Sequence, residues 1–255
     1  MEPILSTTEL VVSIGEHNVC CGLNLTVRSG EHWVILGRNG AGKSTLLSVL
    51  TGLRDASAGK VLLAGKTYAA QGPQAAARQR GWLSQHQGDA FASTVLETAL
   101  VGRHPHLGRW DWENDTDRQI AHDALLAVGL HGFEPRDIRT LSGGERQRLA
   151  IATLLVQQPK LFLLDEPLTH LDLNHQIAAL ELFRQQTAQA AAVISVLHDP
   201  TLAWRYADKV LLVQGDGHTQ QGTRDEMLTE ARLSELYGHP LLRIDANGQT
   251  CFIPQ

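Results

Sequence analysis

The chain has 255 residues, 43% of them hydrophobic, and a formal charge of −5 from 22 basic and 27 acidic side chains. A chain of this length buries a sizeable core as one large domain or two small ones, and its mildly acidic balance argues against a nucleic-acid binder that works through a basic surface. Cys20, Cys21 and Cys251 form neither a disulfide framework nor a zinc-ligand spacing, and they read as reduced packing residues.

In chain order, residues 9–27 read as short strands interrupted at Gly22, followed by a turn at Arg28-Ser29-Gly30-Glu31. Residues 32–36 read as a buried strand. Beyond the glycine-rich stretch that follows, residues 45–50 are apolar at helical spacing and stop at Gly52. Further strands are expected at 60–63 and 81–84. Residues 95–128 carry two helical patterns around a segment, 102–112, rich in Gly, Pro, His and Trp, which together read as a helical insertion. Strands at 161–164, 193–197 and 209–213 then alternate with helices at 145–156, 173–186 and 200–206. Such alternation favours a parallel sheet covered by helices. Near the end, 241–244 and 250–253 flank Ala246-Asn247-Gly248, and Asn-Gly is the strongest short hairpin signal. No apolar run approaches the roughly 18 to 20 residues needed to cross a bilayer. Residues 1–10 carry Glu2 and no basic residue ahead of an apolar stretch, so no secretory signal is read and a cytoplasmic location is expected.

Gly37-Arg38-Asn39-Gly40-Ala41-Gly42-Lys43-Ser44 matches the phosphate-loop pattern in full, after an expected strand and before an expected helix. Glycines let the backbone curl so that amide groups and the helix N-terminus point at phosphates. Lys43 reaches the outer phosphates, and the Ser44 hydroxyl ligates Mg²⁺. Leu161-Phe162-Leu163-Leu164-Asp165-Glu166 is an apolar strand that delivers two acids to its carboxyl end, where ligands sit in open α/β sheets. Asp165 is expected to hold Mg²⁺, and Glu166 to act as general base on the attacking water. An acid pair at a strand end is more often simply solvated; the phosphate loop reverses that balance. His198 and Gln85 follow two other expected strands at the same sheet edge, where polar residues sense a γ-phosphate. Taken singly, each is more often a surface residue.

Leu141-Ser142-Gly143-Gly144-Glu145-Arg146-Gln147-Arg148 is a further anion site, in which Ser142 and the amides of Gly143 and Gly144 open a helix. This segment closely resembles the signature of ATP-binding cassette (ABC) ATPases, and the resemblance extends over about residues 9–237. It implies a P-loop NTPase of ABC type: a mainly parallel α/β core with an N-terminal antiparallel β subdomain and a helical signature subdomain. The division it implies is a RecA-like core with β subdomain at 1–84 and 160–237, a helical subdomain at about 85–159, and a C-terminal β-hairpin at 238–255. By the same resemblance Gln85 is the Q-loop residue and a further Mg²⁺ contact, Leu171-Asp172 the D-loop, and His198 the switch histidine. Gly37, Asn39, Gly40, Ala41, Gly42, Lys43, Ser44 and Thr45 hold the nucleotide from one subunit. Ser142, Gly143, Gly144 and Asp172 close on it from a second copy in a head-to-tail homodimer. One departure stands out: Ile14 occupies the place of the family's adenine-stacking aromatic, leaving His17 as the nearby ring and the preference for adenine over guanine open.

Only one phosphate loop and one signature occur, no heptad run separates them, and no membrane span accompanies them. These features point to a separate importer subunit, peripheral on the inner face of the cell membrane. Val101-Gly102-Arg103-His104-Pro105-His106 and Leu171-Asp172-Leu173-Asn174-His175-Gln176 resemble segments of the type II importer ATPases for vitamin B12, ferric siderophore and haem uptake. Cobalamin is placed slightly ahead as cargo. His104 and His106 fit a surface turn better than a metal pair. Residues 85–118, with Phe91, Trp110 and Trp112, lie where the family receives the permease, and each Trp is read equally as partner surface or core. A periplasmic binding protein is an indirect partner; nucleic acid is not expected as one. The alternatives are a soluble ABC protein of translation or DNA maintenance, and a regulatory domain without turnover.

Overall fold

The computed structural model describes residues 2–85 and 92–255. The first part comprises β1 (Leu5–Ile14), β2 (His17–Leu23), β3 (Thr26–Val27), β4 (His32–Gly37), α1 (Lys43–Leu50), β5 (Ala58–Leu63), α2 (Tyr68–Gln71), α3 (Pro73–Gln79) and β6 (Arg80–Leu83). β1 is the centre of a four-stranded antiparallel sheet, pairing with β2, β3 and β5. Strand β1 begins four residues earlier than its alternation indicates. Glu9 takes a φ of 46° and the pairing slips beside it, so the inward and outward faces change partway along the strand.

The second part runs through α4 (Val95–Leu100), a 3₁₀ turn (Val101–His106), α5 (Asp115–Ala127), α6 (Gly143–Gln157), β7 (Leu161–Asp165), α7 (Leu173–Ala188), β8 (Ala192–Val196) and α8 (Pro200–Tyr206). It ends with β9 (Lys209–Val213), β10 (Thr219–Thr223), α9 (Arg224–Met227), α10 (Glu230–Tyr237), β11 (Leu241–Ala246) and β12 (Gln249–Pro254). Strands β10-β9-β4-β8-β7-β6 form one sheet in that order, parallel throughout except for β10. Every residue of β4, β7 and β8 is buried, which is why they read as unbroken apolar runs. Alternate residues feed opposite faces: Ile35, Leu163 and Ile194 pack with α1 and the antiparallel sheet. Phe162, Leu164 and Val193 pack under the helices α4 to α7, and Val34 and Leu36 under α8, α10 and Phe252.

The helical insertion expected at 95–128 is α4, the 3₁₀ turn and α5. The Gly-Arg-His-Pro-His stretch forms the 3₁₀ turn and acts as a clasp. Arg103 Nε donates to Asp117 Oδ1 on α5 at 2.8 Å, and its Nη1 reaches the carbonyl of Val156 and the amide oxygen of Gln158. His106 Nε2 lies 2.8 Å from the Gln157 carbonyl, while His104 is exposed, so the turn reading holds. Among the described residues no cluster of three His, Cys, Asp or Glu could hold a metal ion. Trp110 and Trp112 are 83% and 86% exposed, which removes core packing for both; Phe91 lies outside the described residues. The hairpin β11–β12 turns through Asn247 and Gly248, both with positive φ as a primed turn requires.

Candidate nucleotide site

Four parallel strands, β4, β6, β7 and β8, end at one edge of the sheet, and the chain leaving each delivers one part of the site. From β4 the loop passes through Gly40 and Gly42 in left-handed conformations, φ 81° and 88°, and enters α1 at Lys43. A side chain at Gly42 would also collide with Val19, whose Cγ2 would lie 2.3 Å from its Cβ. Lys43 curls back over the loop. Its Nζ donates to the carbonyls of Gly37 and Arg38, each at 2.9 Å. Burial pushes the Lys43 ammonium below its ordinary pKa, and the nearby Glu166 and Asp165 carboxylates oppose that shift.

Asp165, the last residue of β7, accepts a 2.9 Å hydrogen bond from the Ser44 hydroxyl. Burial raises its carboxyl above the usual range, tempered first by the Ser44 bond. Glu166 follows with a φ of 50°, a left-handed conformation uncommon for a side-chain-bearing residue, and this turns its carboxylate back over the loop. Gln85 Nε2 donates to Glu166 Oε2 at 2.9 Å, and His198 Nε2 sits 2.8 Å from Glu166 Oε1. Three residues 81 and 32 positions apart in sequence, from the ends of β6, β7 and β8, therefore meet at one carboxylate.

Together these groups surround an open cleft of about 940 Å³ lined by Gly37, Asn39, Gly40, Gly42, Lys43, Ser44, Thr45, Gln85, Glu166 and His198. Ala41 faces an adjoining depression on the other side of the loop, where His17 also lies. Ile14 lines the cleft and is 37% exposed, an aliphatic wall with no ring. Ser142, Gly143, Gly144 and Asp172 line none of it. Ser142 caps α6 through a reciprocal bond with Glu145: the Ser142 amide donates to Glu145 Oε2 at 2.7 Å. Asp172 caps α7 and holds the His175 amide and ring Nδ1 at 2.9 and 2.8 Å. Arg38 of the loop also lines the cleft, as does Tyr237 at the end of α10, for which the sequence offered no role. No spacing rule ties it to the loop; only the packing of α10 beside His198 brings it there. The donors around Ser44, Asp165 and Gln85 are hydroxyl, carboxylate and amide groups, an oxygen set that fits a hard cation such as Mg²⁺.

A sheet edge carrying a phosphate loop, a buried acid on the loop's serine and a second acid beyond it defines a P-loop nucleoside triphosphatase of cassette architecture. The family described as ABC transporter matches residues 20–169, and the chain belongs to that family as an ATPase that couples hydrolysis to transport. The hemin import ATP-binding protein HmuV of Deinococcus radiodurans is 41% identical over 94% of this chain and 92% of its own length. The cobalamin import ATP-binding protein BtuD of Halobacterium salinarum is 37% identical over 88% of this chain and 56% of its own. A solved structure of a metal-chelate type ABC transporter, in an inward-facing conformation, superimposes with a TM-score of 0.86 at 30% identity, covering 100% of this chain and 98% of that one. Relatives for hemin and for cobalamin thus lie at similar identity, and the expected lead of cobalamin is not distinguished. Among the described residues no helix is long and apolar enough to cross a membrane.

Proposed function

We propose that this chain is the ATP-hydrolysing subunit of an importer for a metal-chelate nutrient, working as a head-to-tail homodimer on the inner face of the membrane. The observation that carries the reading is the carboxylate of Glu166, held between Gln85 and His198 in the cleft that Lys43 and Ser44 also line. In this reading the amides of Gly40 to Thr45 cradle the phosphates, and Lys43 exchanges its two carbonyl partners for the outer phosphates. Ser44, Asp165 and Gln85 hold Mg²⁺, which neutralises phosphate charge when bound. Glu166 takes the proton of the attacking water, and His198 turns from Glu166 to the γ-phosphate. Nucleotide entry therefore breaks the bonds to Glu166 and frees the base.

Two further features support the assembly. Ser142, Gly143, Gly144 and Asp172 lie outside the cleft, as expected of groups that act on the nucleotide of a second copy. A separate groove of about 450 Å³ runs between β6 and the helices α4 and α6, lined in part by Leu83, Gln85, Val101, Leu149 and Leu154. Its apolar wall suits a short helix from a permease, and Gln85 at its edge connects it to Glu166. Trp110 and Trp112 stand outside that groove. The cargo is set by the permease and an external binding protein, and hemin, siderophore and cobalamin are all metal chelates that fit the reading.

The test is Glu166→Gln. The variant is expected to bind ATP with unchanged affinity, to lose nearly all turnover, and to elute as a nucleotide-bound dimer on size-exclusion chromatography. Normal turnover in that variant would remove Glu166 as the base.

A further inference from the structure

The C-terminal segment after β10 has no part in the loop, the acids or the signature, yet it reaches into the nucleotide cleft. Helix α10 buries Leu233 and Leu236 in the core that contains Val34 and Leu36 of the central sheet and Leu197, the residue after β8. This packing brings Tyr237, on the last turn of α10, to the cleft wall beside His198. Its hydroxyl lies 3.5 Å from the His198 carbonyl, within reach of a long hydrogen bond to the backbone of that residue.

The hairpin that follows grips the other side of the same segment. Phe252 is buried, its amide donates to the Thr201 hydroxyl at 3.2 Å, and its ring meets Trp204 edge to face at 6.0 Å. Arg243 of β11 and Arg224 of α9 lie against the ring of Trp204 at 4.1 and 4.9 Å. Thr201 and Trp204 belong to α8, which begins two residues after His198. The turn carrying His198 is thus held by α10 at its carbonyl and by the hairpin through α8.

Accepting the assignment of Glu166 and His198 above, we propose that Tyr237 is a positioning residue for hydrolysis. It fixes the backbone of His198 so that the imidazole stays aimed at Glu166 and, with nucleotide bound, at the γ-phosphate. The phenol remains a donor throughout the working range: burial pushes its pKa up to about 12, and the Asp199 carboxylate adds to the rise. A residue acting in this way affects the chemical step more than nucleotide capture, because the loop and Lys43 bind the phosphates without it.

The full-length chain separates this from its rivals through Tyr237→Phe, which keeps the ring and removes the hydroxyl, and Tyr237→Leu, which removes the ring. The probe is a non-hydrolysable ATP analogue for affinity, with steady-state ATPase rates and thermal unfolding measured alongside. Positioning predicts that Tyr237→Phe lowers kcat about three- to ten-fold, with KM, analogue affinity and Tm unchanged, and that Tyr237→Leu lowers kcat further. Wild-type kcat in Tyr237→Phe overturns the proposal. So does a raised KM at unchanged kcat, which would make Tyr237 a nucleotide contact, or a loss of rate that merely follows a fall in Tm. Glu166→Gln is measured in parallel: turnover surviving there overturns the assignment of the base, whatever the tyrosine variants do.

Discussion

His32 shows how strongly a single enclosed residue in the central sheet responds to pH. It begins β4, its Nε2 lies 2.9 Å from the Ser195 hydroxyl on β8, and its Nδ1 has no partner among the described residues. Complete burial lowers its pKa from 6.5 to about 4, so the native state keeps the ring neutral. Between those two values the unfolded chain takes up a proton that the native state refuses. The stability this residue contributes is therefore full above about pH 6.5 and is lost as pH falls toward 4. By pH 5 the loss is expected to reach roughly 2 kcal/mol. Urea unfolding at pH 7.5 and 5.0 checks this against His32→Gln, in which that part of the pH dependence disappears. Identical pH dependence in both proteins would contradict it.

Among the elements, the 3₁₀ turn at Val101–His106 shows how a sequence motif with a functional look performs a structural task. Arg103 and Asp117 are almost wholly enclosed, and the pair ties the turn to α5 while its other bonds end on the C-terminus of α6. Removing Arg103 leaves the buried Asp117 carboxylate with the Asn114 amide, 3.1 Å from its Oδ2, but without its counter-charge. Arg103→Ala is expected to destabilise the protein by about 3 kcal/mol in chemical denaturation. The loop and acids lie outside this clasp, so nucleotide affinity of the folded variant is expected to match the wild type. A substantial affinity loss without destabilisation would give Arg103 a different role. The same packing logic accounts for α2, α3, β10, α9 and α10, which the pattern of apolar residues did not reveal. The helices among them run four to eight residues, and β10 has no fully buried position. Elements this short offer few positions on which a period can register.

For the molecule as a whole, one chain carries two glycine-rich helix starts, at Lys43 and Gly143, of which only the first lines the cleft. If the second completes the site of another copy, inactive variants should complement each other. A Lys43→Ala chain and a Ser142→Arg chain are each expected to be inactive. A mixed dimer contains one site with an intact loop from the second chain and an intact signature from the first. Turnover is therefore expected to reappear on mixing, with a dependence on protein concentration. Silence at every mixing ratio, with mixed dimers present, would argue that the signature does not act across copies.

The local chemistry was legible in the residues themselves, because a phosphate loop, an apolar strand ending in two acids and a capped Ser-Gly-Gly helix are all specified by contiguous side chains. The order of most strands and longer helices followed for the same reason, from contiguous apolar runs and helical spacing. Sequence alone did not determine which side chains meet. The contact of Glu166 with Gln85 and His198 needs three parallel strands in register, and the arrival of Tyr237 needs α10 seated on the core beneath β4. Nor did it decide whether Trp110 and Trp112 were core or surface, because an aromatic in a short irregular segment has no period to mark its face. Those outcomes depend on non-local packing, where the burial of one element sets what its neighbour can touch, and only the tertiary structure contains that information.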